Sequence, residues 1–158
     1  MDRALVVLSE SDTGKELLGE AAELAAGVDA ELVCLSALTE EEYDHDIDVL
    51  SMLDHAEGTT SHGGGRSFEE EGRAELARNE GERLARPVLE ETGVDYEIVG
   101  RVVNDDIAAA VVEAANDADC DHVFLVGNRR SPVGKAVFGD VAQTVILDFD
   151  GPVTVEVE

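Results

Sequence analysis

The stretch with the most chemistry in it runs Gly127-Asn128-Arg129-Arg130-Ser131-Pro132-Val133-Gly134-Lys135-Ala136-Val137-Phe138-Gly139-Asp140. It sets glycines, a hydroxyl and three cations between an apolar run of strand length and a helical pattern. Backbone N–H groups in such a turn, together with the dipole of the following helix, favour an anion. Arginine adds a planar fork that engages phosphate or carboxylate through two parallel hydrogen bonds. Three of the chain's 11 cations gather here although its formal net charge is -26. Either Arg129, Arg130 and Lys135 face a bound anion, or they pair with Asp140, Asp148 and neighbouring acids and hold the turn down.

Other chemistry-bearing residues form weaker patterns. Gly14-Lys15 after an apolar run resembles the end of a P-loop, but Ser9 stands where the first glycine belongs and Glu16 follows the lysine. It reads as the start of a helix. His45, His55 and His62 lie among acids at spacings that match no standard metal site, so they read as solvated histidines. His122 opens a strand and reads as an edge residue. Cys34 and Cys120 sit in apolar runs and read as buried thiols. The chain has no Gly-x-Ser-x-Gly elbow, no Cys-His pairing with an orienting acid and no metal-ligand cluster, so no enzyme is expected.

The elements that must position these groups alternate between strand and helix. Arg3 to Ser9 is a strand-length apolar run, and Ser11 or Asp12 offers an N-cap for a helix that carries Leu17, Leu18, Ala21, Leu24 and Ala25 at helical spacing and stops at Gly27. Ala30 to Ala37 is a second strand. Thr39-Glu40-Glu41-Glu42 begins like a capping box, predicting a helix through residue 56 with Tyr43, Ile47, Leu50 and Leu53 on one face. Residues 57 to 66 hold four glycines and predict a mobile surface loop. A long polar helix follows from Ser67 to Thr92, with Leu76, Ala77, Leu84, Val88 and Leu89 facing inward.

Asp95 to Val102 predicts a third strand, and Asn104 or Asp105 caps a helix burying Ile107, Ala108, Val111, Val112 and Ala115. His122 to Val126 is the fourth strand, a helix runs from Gly139 to Leu147, and Val153 to Val157 closes the chain as a strand. The pattern predicts one α/β domain over residues 1–158, with a five-stranded, mostly parallel sheet flanked by helices on both faces. In such a sheet ligands bind where strand order reverses, at the carboxyl ends of the strands. Ser9 to Asp12, Ser36 to Leu38 and Gly127 onward are therefore the candidate edges.

Composition narrows the partners. Against 37 acidic residues, only Lys15 and Lys135 are lysines. A phosphate backbone is repelled by such a surface, which excludes nucleic acid. Self-repulsion of this size is screened near 1 M salt, where the Debye length is about 3 Å, so a salty cytoplasm is expected. No segment reads as a signal-peptide core or as the ~20 apolar residues of a membrane span, so an intracellular protein is expected.

From Val123 to Val157 the chain resembles the universal stress protein family, with a haloarchaeal character in its charge. The family signature leads from the fourth strand into Gly-x-x-Gly, nine residues, then Gly-Ser or Gly-Thr; Gly127 matches the first glycine and Gly139 the third. The first and last forty or so residues carry the detailed likeness. The resemblance implies a Rossmann-like, adenine nucleotide alpha-hydrolase-like sheet and a homodimer formed through the last strand. It also implies ATP or another adenine nucleotide, or another small anion, at Gly127, Arg129, Arg130, Ser131, Gly139, Asp140 and Ser9.

Three departures accompany the match. Arg130 replaces the second glycine and the loop is one residue short. Asp140 replaces the hydroxyl residue after the third glycine. Ser9 stands where many members carry a nucleotide-contacting aspartate. A stress-response regulatory protein is the leading reading; a ligand-free dimeric interaction module whose Asp140 fills the phosphate site, and a slow nucleotide-hydrolysing enzyme, are the alternatives.

Overall fold

Ala4-Leu5-Val6-Val7 is apolar on both of its faces, and a strand of that kind is stable only where both faces are covered. The computed structural model describes residues 1–45, 66–129 and 139–158, those of 66–70 by backbone alone. The elements are β1 (Arg3–Val7), α1 (Asp12–Gly27), β2 (Glu31–Thr39), a helix α2 described over 40–45, α3 (Arg66–Leu89), β3 (Tyr96–Val103), α4 (Ile107–Asp117), β4 (His122–Gly127), α5 (Asp140–Asp148) and β5 (Val153–Val157). The sheet order is β3-β2-β1-β4-β5, and all four pairings are parallel. The α/β sandwich expected from the sequence is present, with a wholly parallel sheet.

Alternation along the strands divides the core in two. Ala4, Val6, Leu32, Cys34 and Phe124 point to one face, where Leu17, Leu18 and Ala21 of α1 and Ala85 and Leu89 of α3 cover them. Leu5, Val33, Leu35, Val123 and Leu125 point to the other, under Val111 and Ala115 of α4 and Ala142 and Val145 of α5. Strand β1 has partners on both sides and helices above and below, and its central residues are wholly buried.

Several helix boundaries and faces differ from the expectation. The Asp106 carboxylate, rather than Asn104 or Asp105, caps α4 by accepting from the Ala109 amide at 2.9 Å, because a cap must lie three residues before the amide it satisfies. Helix α1 does end at Gly27, with Val28 as its C-cap; Asp29 then takes φ 56°, and the Ala30 amide donates to the Ala25 carbonyl at 2.8 Å. Leu24 is exposed, while Gly14 and Ala22 join the buried face of α1. On α3 the deepest positions are Ala77, Gly81, Ala85 and Leu89, and Leu76, Leu84 and Val88 are half-buried. Ile107 and Val112 of α4 are likewise only half-buried.

The small residues on α3 let its backbone rest on the sheet edge. A Cβ at Gly100 of β3 would strike the Ala74 carbonyl oxygen and the Arg78 amide, and one at Gly81 would come within 2.8 Å of both Ile98 and Ser36. His122 lies in an interior strand, where its ring stacks on Phe124 at 4.4 Å and meets the Thr154 hydroxyl at 2.8 Å. It is no edge residue; burial holds its pKa below the ordinary histidine value. The rest of the helix expected through residue 56, the loop of residues 57–65, and His55 and His62 lie outside the described residues; Arg66 opens α3.

Gly100→Val should lower stability by about 1–3 kcal/mol, since overpacking here pushes against helix backbone. Gly72→Ala, with nothing within 4 Å of the added carbon, should change it by less than about 1 kcal/mol. Guanidinium unfolding midpoints in molar KCl compare the two variants, and equal midpoints would contradict the close seating of α3.

Candidate functional site

Strand order reverses at β1: the chain builds β2 and β3 to one side of it, then β4 and β5 to the other. Diverging crossover segments leave a crevice at the carboxyl ends of the strands there. The Leu8 amide donates to the Leu35 carbonyl at 2.9 Å and carries the β1–β2 pairing to the sheet rim. Ser9 then turns the chain into α1. Its hydroxyl lies 3.1 Å from that of Ser11, and Ser11 caps the helix by accepting from the Gly14 amide at 3.0 Å. Gly14 has to be glycine because a Cβ there would sit 2.6 Å from the Ser9 Cβ.

Beside this turn opens a cleft of about 410 Å³ lined by Leu8, Ser9, Glu10 and Ser11 after β1, and by Ser36, Ala37 and Leu38 of β2. Glu42 and His45 of α2 and Glu80 and Leu84 of α3 complete it. Parts of two of the three edges expected from the sequence, Ser9 to Ser11 and Ser36 to Leu38, thus line one cleft. The capping box read from Thr39 to Glu42 holds α2 there: the Thr39 amide donates to the Glu42 carboxylate at 2.8 Å, and the Glu42 amide donates to Thr39 Oγ1 at 3.3 Å. Arg73 of α3 ties α2 down further, donating to Glu40 at 2.8 Å and lying over the Tyr43 ring.

At the rim, the Arg83 guanidinium bonds the carboxylates of Glu80 and of Glu10, the latter at 2.7 Å. The hydrogen bond from Arg83 holds the Glu80 carboxyl below its ordinary pKa, against a smaller opposing push from burial. Arg83 bridges the loop after β1 to α3. Its side chain is mostly exposed, so the bridge fixes geometry more than it adds stability.

The third expected edge lies across β1. Gly127 is buried at the end of β4, where its carbonyl accepts from the Glu158 amide at 3.1 Å, and the Arg129 amide donates to the Glu158 carbonyl at 3.1 Å. Gly139 takes φ 90° and N-caps α5, and a Cβ on it would lie 3.3 Å from the Asn128 amide nitrogen, so both ends of the glycine-rich turn meet. Asp140 is exposed in the first turn of α5, where a carboxylate satisfies the helix dipole. Arg129 is exposed and makes no ion pair with Asp140 or Asp148. Arg130, Ser131 and Lys135 lie outside the described residues.

Glu10 falls within an expected edge, whereas Glu42, His45, Glu80 and Leu84 are not assigned to a site by the sequence reading. One signal could have pointed to α3: Gly81 inside a helix marks a close approach, here to Ser36. Burial pushes Cys34 up to about 12 and Cys120 up to about 11. Among the described residues no cluster of histidine, cysteine and acidic side chains could hold a metal.

A wholly parallel sheet with reversal at β1 and a cleft at its carboxyl rim define a Rossmann-like α/β fold. Comparison with known proteins supplies the family. The sequence model described as "Universal stress protein family" matches residues 1–156, so the chain belongs to that family. A universal stress protein from Archaeoglobus fulgidus shares the fold with TM-score 0.63 at 24% identity, over 98% of this chain and 97% of that one. A universal stress protein in complex with cAMP gives 0.60 at 15% identity, covering 98% and 95%. A universal stress protein from Archaeoglobus fulgidus in complex with dAMP gives 0.55 at 18% identity, covering 98% and 96%. No curated protein matches the chain.

Proposed function

We propose that this protein is a stress-response regulatory module that binds an adenine nucleotide at the carboxyl rim of β1, β2 and β4. The observation that carries the reading is the cleft at the strand-order reversal, with the hydroxyls of Ser9, Ser11 and Ser36 on its lining. The ligands held by two structural relatives, cAMP and dAMP, are adenine nucleotides and support the same class of ligand here. The sugar and base occupy the cleft beside Ser9. The phosphate end points toward Gly127, Arg129, Gly139 and the N-terminus of α5. The module binds without turning the nucleotide over, in a salt-rich cytoplasm that screens its charge of -26.

One observation favours a second reading. Asp140 supplies a carboxylate where a phosphate would otherwise sit, which suits a ligand-free interaction module. Both readings share a homodimer through β5, the sheet edge, where half-buried Val153, Val155 and Val157 leave an apolar strand that a second copy would pair. Among the described residues no helix is long and apolar enough to cross a membrane.

Calorimetry with ATP, ADP and AMP in molar KCl should give saturable binding in the micromolar range for at least one of them, without nucleotide turnover above background. Absence of binding for all three would favour the module reading, and turnover that falls in Arg130→Ala would favour a hydrolase. Light scattering behind size exclusion should return the mass of a dimer across micromolar concentrations; a strict monomer would refute the β5 pairing.

A further inference from the structure

Hydrogen bonding inside the sheet decides which backbone groups of β5 face outward. The Val123 amide donates to the Pro152 carbonyl at 3.1 Å. At the other end the Glu158 amide donates to the Gly127 carbonyl and its carbonyl accepts from the Arg129 amide, each at 3.1 Å. Even-numbered residues therefore turn their backbone groups to β4, and the N–H and C=O groups of Val153, Val155 and Val157 point away from the sheet. Among the described residues no strand pairs with that side.

The side chains of β5 alternate between the two faces. Val153 and Val155 pack on the core cluster that α5 covers, so Thr154 and Glu156 lie on the opposite face, with the His122 ring. There His122 Nε2 and the Thr154 hydroxyl are 2.8 Å apart, and the ring stacks on Phe124. Two-fold antiparallel pairing of β5 with a second copy must set outward-pointing residues against each other, which leaves few registers. Centred on Val155, the whole strand overlaps: Val155 faces its own copy, Val153 faces Val157, and Thr154 faces Glu156. A register centred on Thr154 sets Val157 against Gly151 and Glu156 against Pro152, beyond the end of the strand. One centred on Glu156 puts two carboxylates directly opposite each other, which is destabilising.

We propose that β5 pairs with a second copy of this chain in the register centred on Val155, which brings Glu156 of each copy to the His122–Thr154 pair of the other and tightens the dimer when His122 is protonated. This rests on the homodimer reading and adds its register and its response to pH. In the single chain burial holds the His122 pKa below its ordinary value; the Asp121 carboxylate opposes this and the terminal ammonium group assists it. The neighbouring Ala4 of β1 is uncharged, as are Leu17, Ala21 and Ala25, which α1 buries on this face. Glu156 of the second copy adds a carboxylate from the open side, so the dimer holds the proton better than the monomer does. Association therefore strengthens as pH falls through the histidine range.

Single-cysteine variants read the register, with the buried Cys34 and Cys120 retained in each. On air oxidation Val155→Cys should give a disulfide-linked dimer, since facing residues of a hydrogen-bonded pair lie about 5.5 Å apart at Cα, within disulfide reach. Thr154→Cys and Glu156→Cys should not cross-link. Sedimentation equilibrium of the full chain in molar KCl should show the dimer tightening about fivefold from pH 8 to pH 5.5, the two symmetric contacts acting together. His122→Gln and Glu156→Gln should each dimerise with little response over that range. Cross-linking through position 154 or 156 in place of 155 would overturn the register. A wild-type dimer constant flat in pH, or an undiminished response in His122→Gln, would overturn the His122 contact. Each of these leaves the homodimer standing, whereas a strict monomer at every pH ends both.

Discussion

The double burial of β1 is the constraint from which the rest of the structure follows. Ala4, Leu5 and Val6 are completely buried, so β1 must be flanked by strands on both sides and roofed by helices on both faces. With β1 in the middle of the sheet, the chain builds outward twice, first to β2 and β3 and then to β4 and β5. The two directions of travel part at the carboxyl end of β1. The cleft is therefore a consequence of how the core is filled, and the side chains that line it are free to specialise.

Charge acts on a different scale from this core. Ion pairs among the described residues, such as Arg3 with Glu97 and Arg86 with Glu82, lie on the surface and each adds little. A net charge of -26 meanwhile works against compactness over the whole molecule unless salt screens it. The same acidity reaches into the cleft through Glu10, Glu42 and Glu80. After β4, Arg129 is exposed and makes no ion pair with Asp140 or Asp148.

Much of the architecture was legible because burial on two faces writes itself as unbroken apolar runs. The runs at β1, β2 and β4 could be read directly, and Ser11 was readable as a cap because its spacing to Gly14 is local chemistry. Asp106 was missed because Asn104, Asp105 and Asp106 are chemically alike and only the helix register separates them. Leu24 shows the limit of periodicity, since it falls at a helical spacing yet faces solvent. The site was half legible. Ser9, Ser36 and Gly127 lie at or near the carboxyl ends of their strands, so topology marks them, whereas Glu80 and Leu84 come from a helix far in sequence from either strand. Their arrival depends on Gly81 and Gly100 letting α3 approach, a pairing that becomes visible only when the chain is folded.

The central claim is that the rim of the sheet where strand order reverses is the place a ligand occupies. Amide chemical shifts of the labelled protein during titration with AMP in molar KCl test it most directly. Ser9, Glu10, Ser36, Leu38 and Leu84 should move together and saturate, with Gly127 and Gly139 following as the phosphate end settles. Shifts confined to the opposite rim around Arg3 and Glu97, or to the acidic turn from Asn104 to Asp106, with the cleft residues unmoved, would contradict it.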